Sequence, residues 1–283
     1  MNSILITGGS GAFGQSFTEF LLKHTLAPRI VIYSRNEYNQ HLMAERFAVA
    51  ANRLRFMIGD VRDKDRLRRA LQDVETVVHA AALKRIEAGH YNPQEVFRTN
   101  IGGSDNLIDA AHDAGVHKAI LLSSDKAYQP VSPYGISKLA AEFLFLNANN
   151  TRGNRGPIFA VCRYGNVWNS TGSVVPTWRN AWEFGRTARM TDPECTRFYM
   201  TMDQAIALVM ETYKTMKPTD TKPRIPILPA YQLADLAEVM QVNTEIVGLP
   251  WWEKKHESME AGNCSETARR MTKDELRQAL DSI

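Results

Sequence analysis

Long apolar stretches and paired cysteines are both missing from this sequence of 283 residues. No apolar run approaches the ~18 residues that a membrane-spanning helix needs. The three cysteines, Cys162, Cys195 and Cys264, are far apart and odd in number, which argues against a disulfide framework and favours a reducing compartment. No two of them have the spacing of a zinc site and the seven histidines are scattered, so we expect no metal site.

An excess of charge of one sign is also lacking, because 34 Lys and Arg face 31 Asp and Glu. The densest basic run, Arg66, Arg68 and Arg69, has no interleaved aromatic residues and is predicted to be a solvated helix face. We therefore expect no nucleic-acid partner. The opening residues MNSILITGG lead directly into a predicted strand, so we expect no signal peptide, no membrane partner and a cytoplasmic location.

Short β-rich runs alternate with helical patterns through the first half of the chain, which predicts an α/β fold with a doubly wound parallel Rossmann sheet. The predicted strands are Ser3–Thr7, Ile30–Tyr33, Leu54–Ile58, Thr76–His79, Ala119–Leu122 and Ile158–Cys162. The predicted helices are Phe13–His24, Lys64–Leu71, Pro93–Ala114, Tyr134–Asn149, Asp203–Met216, Gln232–Val242 and Thr272–Leu280.

The alternation ends near Arg163, where Gly, Asn, Ser and Pro cluster through Gly165–Pro176 and predict a loop. We therefore predict a dinucleotide-binding domain over residues 1–165, with 203–228 packing back on it. Residues 166–283 mainly form a smaller C-terminal substrate-binding lobe in this prediction.

Glycines mark the first turn, since ITGGSGAFG places Gly8, Gly11 and Gly14 between a strand and a helix that begins near Ala12. Glycine permits a tight turn and lets backbone N–H groups approach a pyrophosphate at the positive end of a helix dipole. Any tight strand-to-helix turn favours glycine, but this one opens the first βα unit. We predict a dinucleotide site here that also includes Phe13.

The end of the second predicted strand indicates which dinucleotide binds. A carboxylate there would bind the ribose 2′-hydroxyl of NAD and repel a 2′-phosphate. Ser34 and Arg35 stand there instead, which favours NADP over NAD, although an Arg35 that only faces water would give the same pattern. The further predicted cofactor contacts are Asp60, Val61, Ala80, Ala81, Ala82, Lys84 and Asn100.

The stretch SSDKAYQPVSPYGISK contains the candidate acid–base residues. Ser132 suits a helix N-cap and Pro133 the first helical position, which puts Tyr134 and Lys138 four residues apart on one helical face. An ammonium beside a phenol favours the phenolate and lowers its pKa, so Tyr134 can take a proton from a substrate hydroxyl. Ser124, at the end of the fifth strand, can hydrogen-bond the same oxygen.

These motifs resemble the extended short-chain dehydrogenase/reductases, and among them the inverting UDP-N-acetylglucosamine 4,6-dehydratases of polysaccharide and pseudaminic acid biosynthesis. The resemblance runs over nearly the whole chain, through TGGSGAFG, YSRNE, GDVRD, HAAALKRIEAGHYNPQEVFRTNIGG, SSDKA, YGISK, RYGNVWNSTGSVVP and TRFYMT. It implies a homo-oligomeric, NADP-dependent lyase that oxidises C4, removes water across C5–C6 and returns hydride to C6, with or without inversion at C5. Asp125 would be the acid for the C6 hydroxyl and Lys126 the base for the C5 proton; an exposed loop salt bridge is the alternative interpretation.

The resemblance assigns nucleotide-sugar contacts to Asn166, to the backbone around Val174 and Val175, to Arg197 and to Lys84, for which a surface lysine is the alternative interpretation. The guanidinium fork of Arg197 suits diphosphate oxygens. The chain departs from the family where Pro250–Trp251–Trp252–Glu253–Lys254 replaces the usual Arg-Pro-Gly-Glu-Lys. This difference leaves the base and sugar specificity open, and the two tryptophans are either a stacking lid or interface or core residues.

Two other functions are compatible with parts of this pattern. A nucleotide-sugar 4-epimerase needs Tyr134 and Lys138 but has no use for the pair Asp125–Lys126. A non-catalytic dinucleotide-binding regulator would keep the fold without needing an intact Ser-Tyr-Lys set. The reaction product separates the first from a dehydratase, and the effect of Tyr134→Phe separates the second.

Overall fold

The computed structural model describes residues 2–25 and 27–283. The central strands are β1 Ser3–Thr7, β2 Arg29–Ser34, β3 Leu54–Ile58, β4 Thr76–His79, β5 Lys118–Leu122 and β6 Ile158–Cys162. They pair in parallel in the order β3-β2-β1-β4-β5-β6. This is the strand order of a doubly wound Rossmann sheet, so the predicted fold class is confirmed.

Helices connect these strands and continue through the second half of the chain. They are α1 Ala12–His24, α2 Glu37–Arg46, α3 Lys64–Ala70, α4 Ile86–Tyr91, α5 Pro93–Phe97, α6 Gly103–Asp113, α7 Pro133–Thr151, α8 Val174–Glu183, α9 Met202–Thr215, α10 Leu233–Met240 and α11 Lys273–Asp281. Among the described residues, no helix is both long enough and apolar enough to cross a membrane.

The structure corrects the predicted helices in two places. The segment Pro93–Ala114 is not one regular helix, because a wider π-helical turn over Arg98–Gly102 separates α5 from α6. The predicted loop Gly165–Pro176 already contains the first turn of α8. Pro176 is tolerated there because the first backbone N–H groups of a helix have no intrahelical acceptor.

Short strands organise the C-terminal part. They are β7 Ala188–Met190, β8 Thr196–Phe198, β9 Ala230–Gln232, β10 Thr244–Ile246, β11 Ser258–Glu260 and β12 Asn263–Cys264. β8 pairs with β9 and β11 with β12, both antiparallel, whereas β10 pairs with β7 in parallel. These small ladders place loops of the second half over the carboxyl edge of the main sheet.

The apolar core lies on both faces of the sheet. One cluster joins the sheet to α3, α6 and α7, and the other joins it to α1 and α9. Ile206 and Val209 of α9 pack in the same cluster as Ile4 and Ile6 of β1. A separate cluster around Trp178 belongs to the C-terminal part. The boundary between the two predicted lobes remains a prediction.

Candidate active site

The glycine turn between β1 and α1 is closely packed. Gly8 has φ of +64°, and a β-carbon there would lie 2.9 Å from the backbone of Ala81. A β-carbon on Gly14 would come within 2.3 Å of the carbonyl oxygen of Gly9. Any side chain at these two positions would therefore push the turn away from β4 and α1. The turn leaves its backbone exposed to a ligand at the start of α1, as a pyrophosphate requires.

A cavity of about 1290 Å³ follows the carboxyl edge of the sheet. The predicted site residues that line it are Gly8, Gly11, Ala12, Phe13, Gly14, Ser34, Arg35, Asp60, Val61, Ala80, Ala81, Ala82, Lys84, Ser124, Lys126, Tyr134, Lys138, Asn166, Val174 and Arg197. Asp125, Asn100 and Val175 do not line it. The cavity is long enough to join the glycine turn to the acid–base residues.

The residues that follow β2 form one end of this cavity. The Ser34 hydroxyl is already hydrogen-bonded to Ser10 at 2.8 Å and accepts from the Gln40 amide at 2.8 Å. The Arg35 guanidinium is half-exposed at the cavity rim, 3.6 Å from the Asp60 carboxylate. Of the two residues predicted to distinguish NADP from NAD, Arg35 therefore has the freer side chain.

The side chains of Asn100 and Val175 do not line this cavity. The Asn100 amide accepts from the Leu83 backbone N–H at 2.8 Å and donates to the Leu83 carbonyl and the Ser137 hydroxyl. Asn100 thus supports the loop after β4 from behind. Val175 is buried with Trp178 in the C-terminal core, because successive helical residues point in different directions and only Val174 reaches the cavity.

Tyr134 is the second residue of α7. Ser132 caps this helix, because its hydroxyl accepts from the Gly135 N–H at 3.2 Å. Burial raises the pKa of the Tyr134 phenol above its ordinary value, and the Lys126 ammonium and the Ser124 hydroxyl oppose that rise. Ser124 lies two residues after the end of β5. The phenol, the hydroxyl and the Lys126 amine therefore form one group at the cavity wall.

Two lysines lie near the phenol. Lys126 lowers the pKa of Tyr134 in the structure, whereas the role that the sequence assigns to Lys138 stays a prediction. Lys138 donates to the Leu122 carbonyl at the end of β5, and burial lowers its pKa to about 8. Tyr134 and Lys138 are one helical turn apart, which sets the spacing of their backbone positions. The direction of the flexible Lys138 side chain depends instead on its acceptor, the Leu122 carbonyl.

Asp125 is fully buried beside this group. Its Oδ1 accepts from the Ser124 hydroxyl at 2.8 Å and from Lys126 Nζ at 3.2 Å, whereas its buried Oδ2 has no hydrogen-bond partner. Burial raises the pKa of Asp125, and the nearby Glu257 carboxylate adds to this effect. A carboxyl with a raised pKa and a second oxygen without a hydrogen-bond partner among the described residues suits a general acid.

Lys126 is held by three oxygens. Its Nζ lies 3.2 Å from Asp125 Oδ1, 3.2 Å from Asn166 Oδ1 and 3.2 Å from Glu257 Oε1. Burial disfavours the ammonium, but the two carboxylates outweigh burial and raise the pKa of Lys126 above its ordinary value. The three oxygens suit the three N–H donors of an ammonium.

A loop of the C-terminal part supplies residues that the sequence did not single out. Glu253 pairs with the buried Arg197 at 2.5 Å. Lys254 Nζ donates to the Tyr128 carbonyl at 3.0 Å, and Glu257 contacts Lys126. Glu253, Lys254 and Glu257 are far along the chain from the acid–base motif, so no local pattern assigned them a role in the site. The signal that the sequence offers is the run of charged residues that follows the two tryptophans.

The two tryptophans occupy different environments. Trp251 is 76% exposed, so it is not a core residue. Trp252 is half-buried and lines the cavity, and its ring centroid lies 4.3 Å from that of His90. Trp252 also borders a small enclosed space that Lys126 shares. The aromatic wall is therefore next to the acid–base group.

A buried ion pair lies behind the site. Glu142 accepts two hydrogen bonds from Arg163, one of them at 2.9 Å, and another from the Ser123 hydroxyl. Arg163 also donates to the Met259 carbonyl. This network joins β5, β6 and α7 to β11, so it fixes the catalytic turn relative to the C-terminal part.

Comparison with known proteins gives a consistent result. A family model described as polysaccharide biosynthesis protein matches residues 4–276. A UDP-N-acetylglucosamine 4,6-dehydratase (inverting) of Campylobacter jejuni is 43% identical over 260 residues, which cover 91% of this chain and 77% of that protein. A UDP-glucose 4-epimerase of Rickettsia canadensis is 33% identical over 266 residues, with the same two coverages of 91% and 77%.

Solved structures extend the comparison. Pen from Bacillus thuringiensis superposes with a TM-score of 0.93 at 32% identity, covering 100% of this chain and 98% of that one. DesIV, a dTDP-glucose 4,6-dehydratase from Streptomyces venezuelae with NAD and TYD bound, has a TM-score of 0.84 at 20% identity, covering 99% and 96%. The second likeness is one of fold.

The family model spans almost all of the chain, and the resemblance to inverting dehydratases that the motifs indicated is confirmed by the Campylobacter relative. On this evidence, the chain belongs to the polysaccharide biosynthesis protein family.

Proposed function

We propose that the protein is a nicotinamide-dependent 4,6-dehydratase that acts on UDP-N-acetylglucosamine. The observation that carries this proposal is the buried pair Asp125–Lys126 beside Tyr134, because oxidation needs a base and removal of water needs an additional acid and base. The Campylobacter relative, which is a dehydratase of this kind, supports the choice of sugar and nucleotide.

The cavity residues fit a dinucleotide. The dinucleotide has room along the edge of the sheet, because Gly8 has no side chain and the residues after β4 are the small Ala80, Ala81 and Ala82. When bound, a nicotinamide dinucleotide supplies the acceptor and later the donor of the hydride that moves from C4 to C6. Arg35 at the rim, with no acidic residue at the end of β2, supports NADP rather than NAD.

Tyr134 is the base of the oxidation in this proposal. Its phenolate takes the proton of the C4 hydroxyl while Ser124 donates a hydrogen bond to the same oxygen, and C4 becomes a ketone. Lys126, whose charge lowers the pKa of the phenol, favours the form of Tyr134 that can accept this proton. Lys138 lines the same cavity from the next turn of α7.

Asp125 and Lys126 then remove water. The C4 ketone acidifies the C5 proton, which the neutral amine of Lys126 takes, while Asp125 gives its proton to the departing C6 oxygen. The C5–H and C6–O bonds break, a C5–C6 double bond forms and water leaves. Lys126 is an ammonium in the free protein, so it must first release one proton to solvent to become this base, and after the step it returns the C5 proton. The face of C5 that receives it decides between retention and inversion.

Polar groups at the other end of the cavity hold the nucleotide sugar in this proposal. Arg197 faces the diphosphate, Asn166 and Val174 border the sugar nucleotide, and Lys84 lies at the mouth of the cavity, where its Nζ donates to the Thr171 carbonyl at 3.1 Å. Trp252 forms a wall of the sugar subsite, since it adjoins both Lys126 and the Arg197–Glu253 pair.

A 4-epimerase is the second candidate, because a Rickettsia relative has that activity and Tyr134 and Lys138 suffice for it. The buried, unpartnered Oδ2 of Asp125 favours the dehydratase, since an epimerase has no leaving group to protonate. A non-catalytic dinucleotide-binding regulator is a more distant candidate. It would not need the phenol at all.

Mass spectrometry of the product tests the proposal. We expect the purified protein with UDP-N-acetylglucosamine and NADP to give a product lighter by one water, and Asp125→Asn to suppress that loss. An isomer of unchanged mass would instead indicate the epimerase. Full turnover by Tyr134→Phe would contradict the catalytic role of the phenol and favour the regulator. The homo-oligomeric state and the cytoplasmic location remain predictions from the sequence.

A further inference from the structure

Glu257 is a buried carboxylate that the sequence did not indicate as functional. It directly precedes β11 and is 1% exposed. Its backbone N–H donates to the Ser265 hydroxyl at 2.9 Å, and its carbonyl accepts from the Ser265 N–H at 2.7 Å. The backbone of Glu257 is therefore fixed, and its side chain has little freedom to leave the site.

Three cations face this carboxylate. Its Oε1 lies 3.2 Å from Lys126 Nζ and its Oε2 lies 3.0 Å from Lys254 Nζ. The buried Arg197 on β8 is the third cation. Burial alone would favour the neutral form of Glu257, but the three cations outweigh burial and lower its pKa to about 2. Glu257 is ionised at any pH at which the protein is folded and active.

Asp125 and Glu257 share one ammonium. Both contact Lys126 Nζ at 3.2 Å, but Glu257 also forms an ion pair with Lys254 at 3.0 Å, whereas Lys126 is the one ion-pair partner of Asp125 among the described residues. Lys254, Tyr134 and Tyr231 also face Asp125, and Lys254 lowers its pKa, but burial and Glu257 outweigh the cations and leave the pKa of Asp125 raised. Glu257 therefore carries the negative charge that balances Lys126, whereas burial and the Glu257 charge raise the pKa of Asp125 and favour its acid form.

We propose that Glu257 is a positioning residue for the removal of water, which holds Lys126 in place and leaves Asp125 in its acid form. This inference rests on the proposed dehydratase function. When Lys126 takes the C5 proton, the positive charge that forms meets a carboxylate that is already in position. Glu257 acts through Lys126 and Asp125 and does not line the main cavity.

A positioning role for Glu257 and a general structural role predict different effects on the two halves of the reaction, C4 oxidation and removal of water. Oxidation at C4 uses Tyr134, whereas removal of water uses Asp125 and Lys126. In Glu257→Gln the Lys126 ammonium has Asp125 as its remaining carboxylate, so Asp125 ionises and the acid is lost. We expect the removal of water to slow by about 100-fold, the lower end of what a positioned acid or base contributes, while C4 oxidation stays within about twofold.

A single-turnover experiment with enzyme in excess measures both halves. In Glu257→Gln we expect the absorbance of reduced nicotinamide to persist and mass spectrometry to find a sugar that has lost two hydrogens but no water, as in Asp125→Asn. The control is Glu260→Gln, which makes the same change on an exposed residue of the adjoining strand β11 and is expected to behave as wild type. Equal slowing of both halves, or no slowing, would overturn the proposal.

Two further measurements cover the other outcomes. If Glu257→Gln does not fold, Glu257→Asp keeps the charge on a shorter side chain, and we expect it to slow only the removal of water; equal slowing again overturns the proposal. Carbon-13 NMR of the Asp125 carboxyl, assigned with Asp125→Asn, needs no turnover. It should report a neutral acid in the wild type and a carboxylate in Glu257→Gln. A wild type that removes no water from any nucleotide sugar would contradict the proposed function, and this signal would still show whether Glu257 sets the charge of Asp125.

Discussion

The buried guanidinium of Arg197 donates to the carboxylate of Glu253 at 2.5 Å. The cation predicted to bind a diphosphate thus already has an anionic partner within the chain. A diphosphate must either displace Glu253 or bind beside a like charge, and both cost free energy.

Removal of this carboxylate should strengthen nucleotide binding. We expect Glu253→Gln to bind UDP about tenfold more tightly, which corresponds to about 1.4 kcal/mol, because Arg197 no longer exchanges one anion for another. Isothermal titration calorimetry measures the change. Glu194→Gln removes an exposed carboxylate paired with Lys255 and serves as the control. Unchanged or weaker binding of UDP by Glu253→Gln would contradict the assignment of Arg197 to the diphosphate.

The Ser124 hydroxyl should set the pH dependence of C4 oxidation. The phenol of Tyr134 acts as a base, so oxidation is slow below its pKa and rises as the pH increases through it. Burial raises this pKa and Ser124 lowers it. In Ser124→Ala we therefore expect the rising limb of the rate to move to higher pH and the rate at neutral pH to fall about 10²-fold or more. A limb that stays in place, or moves to lower pH, would exclude this role.

Arg35 should decide between the two dinucleotides. We expect Arg35→Gln to raise the KM for NADP about tenfold and to leave the KM for NAD unchanged, because only NADP has a 2′-phosphate for the guanidinium to bind. Arg62→Gln is the matched control, since Arg62 is the other arginine paired with Asp60. If both dinucleotides are affected equally, Arg35 does not read the 2′ position.

The two adjacent tryptophans should differ in their effect on substrate binding. Trp252 lines the cavity beside Lys126, whereas Trp251 is 76% exposed. We expect Trp252→Ala to raise the KM for the nucleotide sugar about tenfold while the affinity for UDP alone stays the same, because the indole packs on the sugar. Trp251→Ala should change neither value. A loss of UDP affinity in Trp252→Ala would move its contact from the sugar to the nucleotide.

The buried pair Arg163–Glu142 should matter for stability. Both side chains are almost fully buried, so Arg163→Met leaves an unpaired buried carboxylate and is expected to lower the free energy of unfolding by about 3–5 kcal/mol. Arg224→Met, which breaks the more exposed pair with Asp220, should cost less than about 1 kcal/mol. Urea denaturation followed by circular dichroism compares the two. If both variants lose the same free energy of unfolding, burial of the Arg163–Glu142 pair does not increase its contribution to stability.

Much of the fold could be predicted from sequence because its signals are local. β1, β3, β4 and β6 have the predicted bounds, since each is a short β-rich run between turn residues. α2 was not predicted because its buried residues are few, with Gln40 and Met43 facing the sheet. α8 was not predicted because Pro176 and the glycines before it favour a loop.

The site was predicted only where its residues lie in one continuous motif. Ser124, Asp125, Lys126 and Tyr134 are near one another along the chain and in space. The contact of Lys126 with Glu257 and the donation of Lys138 to Leu122 were not predictable, because each depends on which oxygen a flexible side chain reaches. Glu253, Lys254 and Glu257 come from a distant loop that the β8–β9 and β11–β12 ladders bring over the sheet. Long-range packing of this kind leaves no periodic signal in the sequence.

Lys254 donates from one Nζ to the backbone carbonyls of Asp125 and Tyr128, which lie on either side of the catalytic turn. Local opening of the loop before β11 therefore also releases that turn. A ligand that binds only when the loop and the turn are both closed lowers the equilibrium constants for opening of the loop and of the turn by the same factor. Amide hydrogen exchange near β11 and near the catalytic turn would then respond together to the nucleotide sugar, as one cooperative unit assembled from two distant parts of the chain.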